Sequence, residues 1–223
     1  MMNLRTRFRS DRDTLVVRHP IAARLFAGQV EAADRHGMAA RRAALLGRAQ
    51  GRVLELGAGT GANFGHYPQG IQDVVAVEPD PFLHHRAVQA AQGADVPIQV
   101  VSGVGEALDF PDGAFDSAVA TWVLCSVARP DAVAAQLRRV LRPGGTLLII
   151  EHVRSPHPLV GALQGAADVV WPLLSGGCHL GRETMKVLRA AGFTVEQTTT
   201  FRFGSPPLDP PKPHVAGVLC RPN

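Results

Sequence analysis

The residues with the plainest chemical potential lie early in the chain. Val53-Leu-Glu-Leu-Gly57-Ala-Gly59-Thr-Gly61 is a short apolar run that passes directly into a glycine-rich turn. Glycines there open backbone conformations closed to other residues and let a ligand approach the main chain. The next apolar run, Val74–Val77, ends in Glu78-Pro79, about twenty residues beyond the first. A carboxylate at that position can accept two hydrogen bonds from the hydroxyls of a ribose. The glycines are spaced GxGxG, not the GxGxxG of a dinucleotide fingerprint, and no lysine follows them as in a phosphate-binding P-loop. Strand, loop, strand and terminal acid together favour a ribose-containing ligand, with ATP held by a P-loop excluded. Candidates for proton transfer are His152, just after the run Thr146–Ile150, and His179, in a glycine-rich stretch ahead of Arg182. The neighbours His84 and His85 point to different sides of a helix and cannot chelate together, so no metal is expected.

These residues need a scaffold, and the spacing of apolar positions supplies one. Val53–Leu56, Val74–Val77, Ile98–Val101, Ser117–Thr121 and Thr146–Ile150 are short apolar runs bounded by Gly, Pro or Asp. Such runs read as strands buried on both faces. Pro81–Gln92 and Asp131–Leu141 have helical spacing, the second ended by Arg-Pro-Gly-Gly at 142–145. Strand–helix alternation of this kind predicts a parallel sheet covered by helices. Toward the end, a helix over Arg182–Ala191 is closed by Gly192 and followed by a strand, Thr194–Phe203. A proline-rich loop, Ser205–Pro213, leads to a last strand, His214–Cys220, so the final two strands form an antiparallel pair. Residues 14–50 read as two helices, broken near Gly28 or Gly37.

Composition narrows the setting. With 46% hydrophobic and 19% charged residues the chain is globular rather than disordered. The net charge of +4 is carried almost wholly by dispersed arginines, since Lys186 and Lys212 are the only lysines. No basic stripe interleaved with aromatics is present, which argues against a nucleic-acid partner. Cys125, Cys178 and Cys220 form no CxxC pair. Their odd number, without an apolar signal segment, predicts a reducing, cytoplasmic setting. No apolar run reaches the roughly 18–20 residues of a membrane span, so no integral membrane segment is expected. Oligomeric state is not legible in the sequence.

Beyond these readings, a motif set emerges. Val53–Gly61 with Glu78, then Gly105-Glu106-Ala107, Phe115-Asp116 and Leu141-Arg-Pro-Gly-Gly145, resembles that of class I S-adenosylmethionine-dependent methyltransferases. The resemblance implies a single α/β domain over residues 1–223: a Rossmann-like core over 51–223 and an N-terminal helical cap over 1–50. The core would be a mostly parallel seven-stranded sheet with a reversed C-terminal strand. S-adenosyl-L-methionine would be held by Glu55, Gly57, Ala58, Gly59, Gly61, Asn63, Glu78, Pro79, Gly105, Glu106, Ala107 and Thr121. Within that set the glycines would lie against the methionine portion, Glu78 at the ribose, and Glu106 with Ala107 beside the adenine. Many relatives place Asp or Asn where this chain has Val104, or Asp where it has Ala107, so the adenine contact rests here on Glu106 and backbone amide.

Gly59-Thr-Gly-Ala-Asn-Phe64 with Tyr67-Pro68, Thr121-Trp-Val-Leu-Cys-Ser-Val127, Glu151-His-Val153, Gly177-Cys-His-Leu-Gly-Arg-Glu183 and His214-Val-Ala-Gly217 are similar to the thiol-methylating branch of the methyltransferase-like family. Members of that branch carry an N-terminal apolar membrane anchor, whereas residues 1–50 here read as a soluble helical cap. The resemblance implies methyl transfer to the sulfur of a small, largely apolar thiol. His152 and His179 are the candidate bases, and Trp122, Cys125, Ser126, Trp171 and Arg182 the candidate acceptor contacts. Val169, Val170, Leu173 and Leu174 around Trp171 would give the insertion an apolar face, toward a small apolar acceptor or equally toward the N-terminal helices or a second subunit. Transfer to oxygen, carbon or nitrogen of a quinone, phenol or lipid head group is the alternative on the same cofactor motifs.

Overall fold

The computed structural model describes residues 20–175, 177–204 and 211–223, so most of the expected proline-rich loop and residues 14–19 lie outside the described residues. Seven strands build one sheet: β1 (Arg52–Leu56), β2 (Asp73–Val77), β3 (Ile98–Val101), β4 (Phe115–Thr121), β5 (Leu141–His152), β6 (Thr194–Phe203) and β7 (Lys212–Cys220). Their spatial order is β3-β2-β1-β4-β5-β7-β6. β1 to β5 pair in parallel, and β7 runs antiparallel to both β5 and β6.

The helices are α1 (Pro20–Ala33), α2 (Ala39–Leu46), α3 (Pro81–Ala91), α4 (Pro130–Val140), α5 (Pro158–Ala167), the short α6 (Trp171–Leu174) and α7 (Thr184–Ala190). They divide the sheet's apolar side chains into two cores. Leu54, Leu56, Val75, Leu147 and Ile149 pack with Val133 and Leu137 of α4 and Leu188 of α7. Val53, Val74, Ala76, Leu148 and Ile150 pack on the other face with Leu45 and Leu46 of α2 and Ala87 of α3. Alternate residues of each central strand therefore go to opposite cores, and that is why those strands read as unbroken apolar runs. β3 and β6 are the edge strands. β3 is only partly buried rather than buried on both faces, because among the described residues nothing pairs with its outer side, and the Thr-rich, mostly exposed surface of β6 suits its position.

The cap breaks at Gly37, not Gly28. Gly37 has φ 101 and lies between α1 and α2, a left-handed conformation that favours glycine, while Gly28 sits within α1. The strand after α4 begins at Leu141 rather than Thr146, because Arg142–Gly145 bulge out between the pairs Phe115–Leu141 and Ser117–Thr146. The insertion after β5 leaves Val169 and Val170 exposed, at 80% and 56%, so they do not pack against the N-terminal helices. They lie in the turn between α5 and α6, outside both cores. Among the described residues no helix is long and apolar enough to cross a membrane.

Candidate active site

β1 and β2 deliver the glycine turn and Glu78 to the same edge of the sheet. The amides of Gly57 and Ala58 donate to the Val77 carbonyl at 2.8 and 3.1 Å. Glu78 then accepts from Gly59 N at 2.8 Å on one oxygen and from Asp80 N at 2.9 Å on the other. Asp80 caps α3 by accepting from the amides of Phe82 and Leu83, with Pro81 at the first helical position, which fixes the backbone just after Glu78. Burial pushes the Glu78 carboxyl up to about 7, against the lowering effect of those two amides. Two amide bonds do not saturate a carboxylate. The hydroxyl pair of a ribose would use its remaining lone pairs and relieve its desolvation.

The turn is kept open by glycine where that matters. Gly57, Gly59 and Gly61 all have φ between 57 and 81. A Cβ on Gly57 would stand 2.5 Å from a Val123 methyl, whereas one on Gly59 would meet only the Phe26 ring at 3.5 Å and the loop's own backbone. Gly59 thus faces a small cavity of about 20 Å³ lined by Phe26, Val30, Arg42, Asn63, Thr121 and Trp122. The unobstructed backbone at Gly59 and the buried acid beside it suit the methionine and ribose portions of S-adenosylmethionine, with Phe26 close over the turn.

Behind the turn lies a buried polar network that the sequence does not announce. Asn63 Nδ2 donates to Glu55 at 3.0 Å and to Thr121 Oγ1 at 3.1 Å, and the Tyr67 hydroxyl donates to the other Glu55 oxygen at 2.6 Å. Arg42 of α2 donates to Asn63 Oδ1 at 2.9 Å and to Thr121 Oγ1 at 3.1 Å, and its Nε pairs with Asp34 at 3.1 Å. Both Glu55 oxygens are thereby engaged within the protein, and burial pushes its carboxyl up to about 7. The network fastens the cap to the glycine turn and to the end of β4.

Strand register builds an aromatic cluster beside the glycine turn. His152 at the end of β5 stands directly opposite His214 of β7, and His214 stands opposite Phe201 of β6. Residues paired across antiparallel strands share one face, so the three rings form a row. The His152 and His214 rings are 5.5 Å apart and edge-on, and Phe201 stacks on His214 at 5.5 Å. Phe203 and Trp122 complete the box at 5.9 and 6.1 Å from His214. Trp122 has φ 59, the only non-glycine positive φ among the described residues, and it also lines the cavity at the glycine turn. Such strain in a bulky residue is characteristic of functional sites. Burial pulls both histidines down to about 4, so each is neutral at pH 7. His152 Nε2 and Trp122 Nε1 are buried without a partner.

The neighbouring residue turns to the opposite face, as strand alternation requires. Glu151 accepts from the amides of Val123, Leu124 and Cys125 at 2.9, 2.9 and 3.1 Å, and so pins the turn after β4. Its full burial pushes its carboxyl well above the usual range. Cys125 is buried, next to Ser126 Oγ at 3.5 Å, and Cys178 Sγ lies 4.0 Å from His152 Nδ1.

The remaining sequence candidates divide. Gly105 is buried, Glu106 half-buried with an oxygen 3.4 Å from Arg129 N, and Ala107 exposed, all in the turn after β3. Pro79 sits between Glu78 and Asp80. Trp171 lies under Lys212 Nζ at 5.4 Å. His179 and Arg182 are brought together at 3.1 Å, with Arg182 also donating to the Val127 carbonyl. Both line an open groove of about 630 Å³ with Asp131 and Lys186, which shares no residue with the cavity at the glycine turn. Arg42, Tyr67, Glu151 and His214 were outside the sequence-derived set. Only the Tyr67-Pro68, Glu151-His-Val153 and His214-Val-Ala-Gly217 motifs hinted at three of them, and nothing marked Arg42.

This strand order, with a glycine turn after β1 and a terminal acid on β2, is the architecture of a class I methyltransferase. Residues 54–149 match the family model described as a methyltransferase domain. The chain is 38% identical to the human thiol S-methyltransferase TMT1B over 181 residues, covering 78% of this chain and 72% of that protein. It is 37% identical to the rat thiol S-methyltransferase TMT1B, covering 76% and 70%. In fold it is similar to the YcgJ protein of Bacillus subtilis, with a TM-score of 0.66 at 17% identity over 85% of this chain and 99% of that one. The chain belongs to the class I S-adenosylmethionine-dependent methyltransferases, in the branch that holds the thiol S-methyltransferases. Its cofactor is S-adenosylmethionine.

Proposed function

We propose that this methyltransferase acts in the cytoplasm on the sulfur of a small, largely apolar thiol, which enters the box of Trp122, His152, Phe201, Phe203 and His214. The observation that carries the reading is the buried, unpartnered Nε2 of His152 in an aromatic cluster that shares Trp122 with the cavity at the glycine turn. Similarity to the TMT1B proteins supports sulfur as the acceptor atom. Three unpaired cysteines suit a reducing compartment.

The cofactor supplies an electrophilic methyl group on a sulfonium. The chain's residues supply position and exclusion of water. Glu78 accepts the ribose hydroxyls, the Gly57–Gly61 turn lies against the methionine portion, and Gly105, Glu106 and Ala107 border the adenine. Pro79 and Ala58 shape the two turns, while Glu55, Asn63 and Thr121 hold the glycine turn through Arg42 and Tyr67. His152, neutral because of its burial, accepts a hydrogen bond from the acceptor S–H and aligns the sulfur. A free thiol with a pKa of about 8.5 is a few per cent thiolate at neutral pH, so alignment matters more than base strength. Aromatic walls favour sulfur and exclude competing water. His179 and Arg182 position the segment beside Cys125 and Ser126, with Trp171 at the outer side.

The test is incubation with S-adenosylmethionine and a panel of alkyl and aryl thiols, phenols and amines, read by mass spectrometry. Methyl thioethers are expected, with His152→Ala lowering kcat by about 10²-fold, a typical loss for a removed proton acceptor. Product from phenols or amines alone would overturn the thiol assignment and leave the cofactor site standing.

A further inference from the structure

Two thiols that methyl transfer does not require meet beside the acceptor box. Cys125 follows β4 and Cys178 lies 53 positions later in the segment ahead of α7, yet three contacts bring them together. His179 N donates to the Cys125 carbonyl at 2.9 Å. Gly177 fits so closely that a Cβ there would stand 2.9 Å from the Ser126 carbonyl oxygen. The Cys125 thiol faces the sulfur of Cys178 in hydrogen-bonding contact.

The pair is asymmetric. Cys125 is buried, whereas Cys178 is partly exposed and 4.0 Å from His152 Nδ1. The Cys125 S–H favours the Cys178 thiolate most strongly, against the opposing effect of burial; the positive charge of Lys212 adds to it, and the carboxyl groups of Glu151 and Asp168 oppose it more weakly. The Cys125 thiol is pushed up by its neighbour sulfur and by burial. An accessible sulfur that ionises first, backed by a buried one that ionises late, is the division of roles that disulfide exchange requires.

We propose that Cys178 and Cys125 form an exchange-active dithiol that reduces small-molecule disulfides, with Cys178 attacking and Cys125 resolving. The Cys178 thiolate attacks one sulfur of the disulfide, forming a mixed disulfide and expelling the first thiolate. That thiolate takes the Cys125 proton. Cys125 sulfur then attacks Cys178, closing the intramolecular disulfide and expelling the second thiolate, which is protonated by water. Two electrons pass from the protein to the small molecule, and two equivalents of a low-molecular-weight monothiol return the protein to the dithiol. Gly177, with φ 93, allows the short backbone adjustment that closure needs. The exchange does not rest on the acceptor being a thiol. If the acceptor is a thiol, the same compartment can release it from its oxidised dimer.

The test uses the full chain with Cys220→Ser, which leaves only this pair, reduced and without S-adenosylmethionine. Against 2,2′-dithiodipyridine the expected result is release of two thiones per protein with loss of two hydrogens from the intact mass. Cys125→Ser in that background should stop at one thione and a stable adduct on Cys178. Cys178→Ser should leave Cys125 unreacted until the protein is unfolded. Circular dichroism and binding of S-adenosylhomocysteine establish that each variant is folded. A persistent adduct in the protein holding both cysteines, or no reaction of the folded protein, would overturn the proposal. Methylation assays fail or succeed independently of this readout.

Discussion

Binding of the cofactor's ribose should require Glu78 to be an anion, although burial holds its carboxyl at about 7 in the free protein. Hydroxyl donors favour the charged form, so the ligand must bind together with loss of a proton. Between pH 8 and pH 6 the ionised fraction falls from about nine-tenths to about one-tenth, which reduces affinity about ten-fold, or about 1.4 kcal/mol. The suitable probe is 5′-methylthioadenosine, which keeps the ribose and adenine but has no titrating amino acid. Calorimetry at pH 6, 7 and 8 in buffers of different ionisation enthalpy would measure affinity and proton release together. Glu78→Gln should bind weakly at all three values and lose the slope. Glu55→Gln should keep it, because both oxygens of Glu55 face Asn63 and Tyr67. A flat profile in the unsubstituted protein, or the same slope in Glu78→Gln, would refute the reasoning.

Tyr67→Phe deprives a buried Glu55 oxygen of its 2.6 Å donor, and urea unfolding should show a loss of about 1–3 kcal/mol. Gly57→Ala meets both a φ of 67 and a methyl 2.5 Å away; a loss of about 1–3 kcal/mol is expected by chemical unfolding, along with weakened nucleoside binding. His214 is near 4 when folded against an ordinary value of 6.5. The unfolded chain therefore binds the extra proton between those values, so stability is complete above pH 6.5 and lost as pH falls toward 4. The shift corresponds to about 3 kcal/mol. His214→Phe should remove that share of the acid sensitivity, seen as a smaller drop in the urea midpoint from pH 7 to pH 4.

The five parallel strands and the Gly57–Gly61 and Glu78 elements were legible because each is local. An apolar run buried on both faces, a glycine requirement and a strand-terminal acid all leave marks within ten residues or so. The polar network was not legible. Arg42 reaches Thr121 across 79 positions, and an arginine in an Arg- and Ala-rich helix carries no sign that it is buried. The aromatic box was equally hidden, since His152, His214 and Phe201 become neighbours only through the register of β5, β7 and β6. Val169 and Val170 misled in the opposite sense: hydrophobicity alone did not bring them inward.

The contact of Phe26 with the glycine turn bears on timing. Space in front of Gly59 amounts to about 20 Å³, room for roughly one water molecule. The methionine end of the cofactor needs more room than this in front of Gly59, so Phe26 of α1 would have to yield as it binds. An excursion of that helix in each cycle is the expected consequence, with the bend at Gly37 as its pivot. The residence time of the demethylated cofactor becomes a property of the cap, and substitutions at Phe26 would set the pace of the enzyme without touching the methyl-transfer step.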